Sequence, residues 1–349
     1  MSPAAPFIFQ LNPPLIMQYH PLGKSGIHAS TIALGTWVLG GGTTWGDNPD
    51  DAESIRLIQT ALDLGINLID TAPVYGWGRS ETVVGKALQG RREQALIATK
   101  CGLWWEDERG SFFADFDRRK MNRSLRPDTL QLEIENSLRR LATDYIDLYQ
   151  THWPAIPPDK TPVEDSMACL LKLQAQGKIR EIGVCNVSLD ELHEYLACGA
   201  IVSNQFRYSM LCRDAEQDIL PFCAQHQLAT LTYMSLEQGL LTGKVGMERE
   251  FRPDEFRSNE AWNPWFTPAN RRSVLAMLAG WQDLLDKYTC TLSQLVIAWT
   301  AAQPGVTHVL CGTRTLSQLA DNAGAADLEL EAADVQRLRD DAVALGAPQ

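Results

Sequence analysis

The sequence predicts an α/β fold in which eight parallel strands, each followed by a helix, close into a (β/α)8 TIM barrel with an N-terminal β-hairpin and a C-terminal helix. Three observations predict it. Short apolar runs alternate with stretches of helical apolar spacing, eight times over. Such alternation with short connections demands parallel pairing and right-handed crossovers. A chain of 349 residues also has room for eight such units and extra loops. Finally, the first apolar run leads into GTWVLGGGTTWG, whose glycines miss the G-x-G-x-x-G spacing expected of an open doubly wound nucleotide-binding sheet.

Residues 1–16 are apolar but carry prolines at 3, 6, 13 and 14 and no basic residue. They read as a poorly ordered extension to a single domain over 17–349. QYHPLGKSGIHAS reads as a hairpin around Lys24, Ser25 and Gly26. The eight strands are read at 31–36, 67–70, 95–100, 145–152, 179–186, 201–208, 229–235 and 306–312. Helices are read at 51–65, 80–90, 126–143, 161–178, 188–199 and 214–227. Further helices follow at about 271–287, 291–302, 315–325 and 331–345. Pro127 suits a first helical turn, Arg139 and Arg140 suit the last, and Ser188 suits an N-cap. Pro221 does not suit the helix interior and predicts a kink or an early start there. The long segment 246–268 holds Phe251, Phe256, Trp262, Trp265 and Phe266, too many aromatics for a free loop, and reads as a packed flap.

Composition narrows the partners. Net charge is −12, with 45% hydrophobic residues. That balance disfavours nucleic acid and anionic membranes. No run approaches the roughly 20 apolar residues of a membrane span. The eight cysteines show no C-x-x-C spacing and the six histidines no paired-ligand spacing. Buried free thiols, Cys101 included, and no metal are the reading. A cytoplasmic protein, monomeric or homo-oligomeric, is expected.

In a barrel, strand C-termini converge on one mouth. Asp70, Lys100 and His152 end three successive strands, and Tyr75 follows Asp70 in a turn. Trp37, Trp45, Trp77, Trp104, Trp105 and Trp153 fall in the same four loops. Aromatics around a few polar groups make an organic substrate pocket, here drawn with Trp37, Tyr75, Trp104, His152 and Trp153. A Lys ammonium beside Tyr75 lowers the phenol pKa, and Asp70 is its counter-ion. The group is suited to protonating a carbonyl oxygen during reduction. Hydride must come from a bound donor. The loops after strands seven and eight offer its phosphate site. SLEQGLLTGKV supplies Gly239, Gly243, Lys244 and free amides, and CGTRTLSQLADN supplies Gly312, Thr313 and Arg314 at a helix start.

LGTW, NLIDTAPVYG, ATK, YIDLYQTHWP, GKIREIGVCN, SLEQGLLTGK and CGTRTLSQLADN together resemble the aldo-keto reductases, from Met17 to near the C-terminus. The likeness is greatest to the bacterial branch of general stress protein 69 and inositol-operon-type reductases. The resemblance implies an NADPH-dependent reductase of aldehydes or ketones, with small aldehydes, α-dicarbonyls or sugars as substrates. It implies Asp70, Tyr75, Lys100 and His152 as a catalytic tetrad, with Tyr75 as general acid. It implies a cofactor site of Gly35, Thr36, Trp37, Asp70, Asn186, Gln205, Tyr233, Ser235, Leu236, Gly239, Leu241, Gly243, Lys244, Gly312, Thr313, Arg314, Gln318 and Asn322. Asn186 and Gln205 would hold the carboxamide, Tyr233 stack on the nicotinamide, and Arg314 take the 2′-phosphate. Two departures stand out: Cys185 where many relatives have Ser, and Gln318 where some branches have Arg. The competing functions are oxidation of a sugar or alcohol by the same residues, and a nucleotide-sensing regulatory subunit.

Overall fold

The computed structural model describes residues 16–42, 44–45, 50–116 and 119–349. Residues 1–15 of the expected extension lie outside these. The chain opens with an antiparallel hairpin, β1 (Tyr19–Pro21) and β2 (His28–Ser30). Next come β3 (Ile32–Gly35), α1 (Asp51–Asp63), β4 (Leu68–Asp70), α2 (Arg79–Ala87) and β5 (Leu96–Cys101). Then β6 (Leu103–Trp104), β7 (Ser111–Phe116) and β8 (Arg119–Arg123) form a small antiparallel sheet. The alternation resumes with α3 (Pro127–Leu141), β9 (Ile146–Thr151), α4 (Val163–Ala175), β10 (Ile179–Cys185), α5 (Leu189–Cys198), β11 (Ser203–Arg207), α6 (Ile219–His226) and β12 (Ala229–Tyr233). After the flap come α7 (Pro268–Ala279), α8 (Gln282–Tyr288), α9 (Leu292–Ala301), β13 (His308–Gly312), α10 (Leu316–Ala323) and α11 (Ala332–Ala344).

Strands β3, β4, β5, β9, β10, β11, β12 and β13 close into a parallel barrel in that order. The two-residue period of a strand then sorts side chains. Leu68, Ala98 and Leu148 lie in the inner cluster with Leu22, Ile27 and Ala29 of the hairpin, which plugs the floor. Ile69, Ile97 and Tyr149 face outward into the helix layer with Leu57, Val84 and Ile134. Two residues beyond the inner layer, Asp70, Lys100 and Gln150 again point inward, and all three are buried.

Three sequence expectations change. The small sheet β6–β8 stands where the sequence predicts a loop after the third strand. Its strands pair only with each other, so no parallel rhythm announces them. The helix expected over 214–227 is a 3-10 turn, Asp214–Glu216, followed by α6, so the α-helix starts late. Pro221 is the third residue of α6, where its missing N–H costs no helical bond. The helix expected over 271–287 divides into α7 and α8 at Gly280 and the fully buried Trp281. Ser188 caps α5 in a reciprocal pair with Glu191, as expected.

Candidate active site

Lys100 is fully buried, and its ammonium has three partners. Nζ donates to Asp70 Oδ1 at 2.7 Å, to the Thr71 carbonyl at 2.8 Å and to the Tyr75 hydroxyl at 3.2 Å. Gln205 Nε2 donates to the other Asp70 oxygen at 2.8 Å. A buried ion pair is tolerable only when its remaining hydrogen-bonding sites are satisfied, and these contacts do so. Burial works against the Lys100 ammonium, but Asp70 and Tyr75 more than offset it and hold its pKa above the usual lysine value. Tyr75 departs from the sequence expectation. Burial outweighs the Lys100 charge and pushes the phenol up to about 12. The hydroxyl therefore stays protonated at neutral pH, as a proton donor requires.

His152 stands edge-on to Tyr75, with ring centroids 5.9 Å apart. Burial, then the charges of Lys100 and Arg123, hold it well below the ordinary imidazole range. It is neutral at neutral pH, and its Nδ1 has no hydrogen-bond partner among the described residues. Trp37 stacks on Tyr75 at 6.0 Å. Tyr75 itself sits in a turn whose carbonyl accepts from Ser80 N at 3.1 Å, at the start of α2. The structure thus brings the four sequence-predicted groups together.

Asp70, Tyr75 and His152 line a cavity of about 920 Å³ that reaches the loops after β12 and β13, with Lys100 behind them. Of the expected cofactor residues, Gly35, Trp37, Asp70, Asn186, Gln205, Tyr233, Ser235, Leu236, Gly239, Lys244, Gly312, Thr313, Arg314, Gln318 and Asn322 line it. Three do not. Thr36 is buried behind the wall, its hydroxyl donating to the Asp70 carbonyl at 2.8 Å. Leu241 is fully buried in a side core with Trp281 and Trp299. Gly243 lies outside the lining and ends the turn after β12 with φ 71°. Asn186 is held by its neighbours. Its amide donates to the His152 carbonyl at 3.0 Å, and its oxygen accepts from the Tyr233 hydroxyl at 2.6 Å. Cys185, the departure noted above, is fully enclosed and accepts from the Asn186 amide at 3.1 Å.

The amides expected free after β12 are largely used. Glu237, Gly239, Leu241 and Gly243 donate to carbonyls of their own loop. Similarly, Arg314 N donates to Gln318 Oε1 and Gln318 N to the Thr315 hydroxyl. Side chains therefore dominate this end of the wall. Orphaned polar atoms mark the wall. Arg207 Nε, Gln238 Oε1 and Thr313 Oγ1 are buried there without a partner among the described residues. A long polar ligand with an aromatic end fits such a lining.

Trp104 is not brought to the cavity. In the two-residue strand β6, Leu103 faces the cavity and Trp104 the opposite way. Its Nε1 donates to Asp107 at 2.7 Å under the Arg109 guanidinium. In its place β7 and β8 supply Phe113, Phe116 and Met121. Phe113 sits at a bulge between Phe112 and Ala114, and Arg123 stacks on both Phe113 and Trp153, at 4.1 and 4.6 Å. Arg207 was missed as well. It ends β11 and pairs with Glu237, which Ser209 also contacts. A cation at a strand end was the available signal.

Behind β5, Glu133 accepts the Gly102 amide with both oxygens, at 3.1 and 2.9 Å. The same peptide unit takes the His152 amide on its carbonyl at 2.8 Å. Burial pushes Glu133 up to about 8, with Arg140 opposing and Glu81 and Glu106 reinforcing. A carboxyl whose folded pKa is raised holds its proton better folded than unfolded. Stability is then lost as pH climbs from the ordinary carboxylate range through about 8. Glu133→Gln is expected to flatten the fall in Tm between about pH 5 and 8. Melting curves at several pH values check it, and an unchanged slope refutes it.

All eight cysteines are free, and no His/Cys/Asp/Glu cluster suited to a metal occurs among the described residues. No helix among them is long and apolar enough to cross a membrane. The sequence profile of the Aldo/keto reductase family matches residues 31–341. The chain is 40% identical over 330 residues to an NADH-specific methylglyoxal reductase of Escherichia coli K12, covering 94% of this chain and 99% of the relative. It is 38% identical to the aldo-keto reductase YhdN of Bacillus subtilis, covering 87% of each. The solved glycerol dehydrogenase of Gluconobacter oxydans superposes with a TM-score of 0.81 at 37% identity, over 93% of this chain and 94% of that one.

Proposed function

This chain belongs to the aldo/keto reductase family of oxidoreductases, and on that premise we propose that it reduces aldehydes or ketones to alcohols with NADPH. The observation that carries the reading is the Asp70–Lys100–Tyr75 chain of hydrogen bonds beside a cavity of about 920 Å³ that reaches the loops after β12 and β13. When bound, the reduced nicotinamide supplies the hydride. The residues do the rest. Trp37, Tyr233 and Asn186 border the space beside Tyr75 and orient the ring. Tyr75 gives its hydroxyl proton to the carbonyl oxygen, and neutral His152 orients that oxygen by a hydrogen bond. The Lys100 ammonium, 3.2 Å from the phenol, stabilises the tyrosinate left behind, while Asp70 holds Lys100 in place. Phe113, Phe116, Trp153 and Trp262 exclude water.

Small aldehydes and α-dicarbonyls head the substrate list, in keeping with the E. coli relative; sugars follow. The Gluconobacter relative favours a second reading, alcohol oxidation, in which the same groups run in reverse. A screen of nucleotide consumption over aldehydes, α-dicarbonyls and ketoses, and of nucleotide reduction over polyols, separates the two. No turnover in either direction would sink both. For the cofactor, Arg314 is the proposed 2′-phosphate partner. Arg314→Ala is expected to weaken NADPH binding about tenfold or more and NADH far less. Equal losses would move the phosphate elsewhere.

A further inference from the structure

The flap carries more charge than a cover needs. It is pinned across the mouth by Phe256, which packs on Trp37 at 5.3 Å and donates its amide to the Thr44 carbonyl at 3.2 Å. One residue on, Arg257 reaches Trp45. Its guanidinium lies 5.9 Å from one Trp45 ring centroid, and that of Arg314 lies 5.6 Å from the same indole. Arg314 also donates to the Trp45 carbonyl at 2.8 Å. Two cations from different segments, the flap and the loop after β13, therefore converge on one tryptophan.

Glu255 pairs with Arg257, and both side chains are almost out of water, 6% and 11% exposed. Burial pulls the Arg257 guanidinium below its usual value against Glu255, and the charges of Arg314 and Arg249 act in the same direction as burial. Glu255, Arg257, Arg249 and Arg314 all line the cavity. Asp254 and Asp321 border it too, but Asp254 pairs with Arg252 and Asp321 accepts from Thr291. One buried carboxylate thus pairs with a guanidinium on which two further guanidiniums bear. Burying a charge pair is seldom worth its desolvation for stability alone. At a ligand wall such a pair works as an internal anion, already occupying a site that an external anion can take.

We propose that Arg257 joins Arg314 at the 2′ end of the nucleotide and that Glu255 sets the choice between NADPH and NADH. The inference rests on the dinucleotide reading of the cavity given above. A 2′-phosphate carries close to two negative charges and suits a pair of guanidiniums. To bind, it must draw Arg257 from Glu255 and tolerate the carboxylate beside it. A ribose 2′-hydroxyl makes no such demand, and a carboxylate is a good acceptor for it. Arg257 favours NADPH and Glu255 opposes it, so the preference between the two nucleotides is set by their difference.

Dissociation constants for NADPH and NADH, measured on the full chain by quenching of its tryptophan fluorescence, test this. Glu255→Gln is expected to tighten NADPH about tenfold and to leave NADH unchanged or weaker. Arg257→Ala is expected to weaken NADPH about tenfold, with NADH within about threefold. The opposite signs of the two variants cannot arise from a common loss of fold. Equal changes for both nucleotides, or an unaltered NADPH/NADH ratio in Glu255→Gln, would overturn the inference while leaving the dinucleotide site standing. Failure of the unsubstituted protein to bind either nucleotide would overturn the cavity reading and this inference with it.

Discussion

Tyr75→Phe is expected to lower kcat for carbonyl reduction by at least about a thousandfold while leaving nucleotide affinity within about twofold. The change removes one oxygen. Lys100 loses its longest contact, at 3.2 Å, and keeps Asp70 at 2.7 Å and the Thr71 carbonyl at 2.8 Å. The ion pair therefore survives, and so does the ring stacked on Trp37 at 6.0 Å. What is lost is the proton donor. No second group in the site takes its place, because His152 is held neutral by burial and by Lys100 and Arg123. Single-turnover rates with saturating nucleotide, beside a nucleotide titration, separate chemistry from binding. Near-normal turnover in the variant would refute the proposed role of Tyr75.

Gly76→Ala is expected to cost about a hundredfold in kcat and to lower Tm as well. Gly76 follows Tyr75 with φ 63°, a conformation L side chains rarely adopt. A Cβ there would stand 2.2 Å from the Gly40 carbonyl oxygen. Gly40 is in turn pressed against this turn, since its own added Cβ would meet the Tyr75 carbonyl carbon at 2.7 Å. Neither backbone can retreat cheaply. Gly40 follows Trp37 in a 3-10 turn, and Ser80 hydrogen-bonds both Thr36 and Thr71 across the gap. The clash must move Tyr75 relative to Lys100, and a displacement near 1 Å suffices for such a loss. Gly40→Ala is expected to act alike from the other side. Wild-type kcat in both variants would show that the turn has slack the packing does not suggest.

Much of this site was legible because strands encode facing locally. A two-residue period places Asp70, Lys100 and Gln150 above Leu68, Ala98 and Leu148, whatever the helices outside do. The strand ends then converge because closure leaves them nowhere else to go. Loops have no such rule. Trp104 falls in the rim loop after the third barrel strand, yet β6 turns it outward and gives Leu103 the cavity. The wall built by Phe113, Phe116 and Met121 depends on a sheet whose strands pair only with one another. The amides after β12 looked available in a glycine-rich stretch, but Glu237 and Gln238 also adopt positive φ, and the loop folds back on its own carbonyls.

The sequence by itself determined the barrel, its strand order and the inward register of Asp70 and Lys100, because these follow from short-range periodicity and chain connectivity. Only the tertiary structure decided how those groups are tuned and covered. The contact of Gly40 with Gly76, the clasp of Arg123 on Phe113 and Trp153, and the meeting of Arg257 with Arg314 over Trp45 join segments far apart in the chain. Such contacts depend on which surfaces remain to be buried once the barrel has closed. Burial likewise settled the charge states, raising Tyr75 where Lys100 alone would have lowered it.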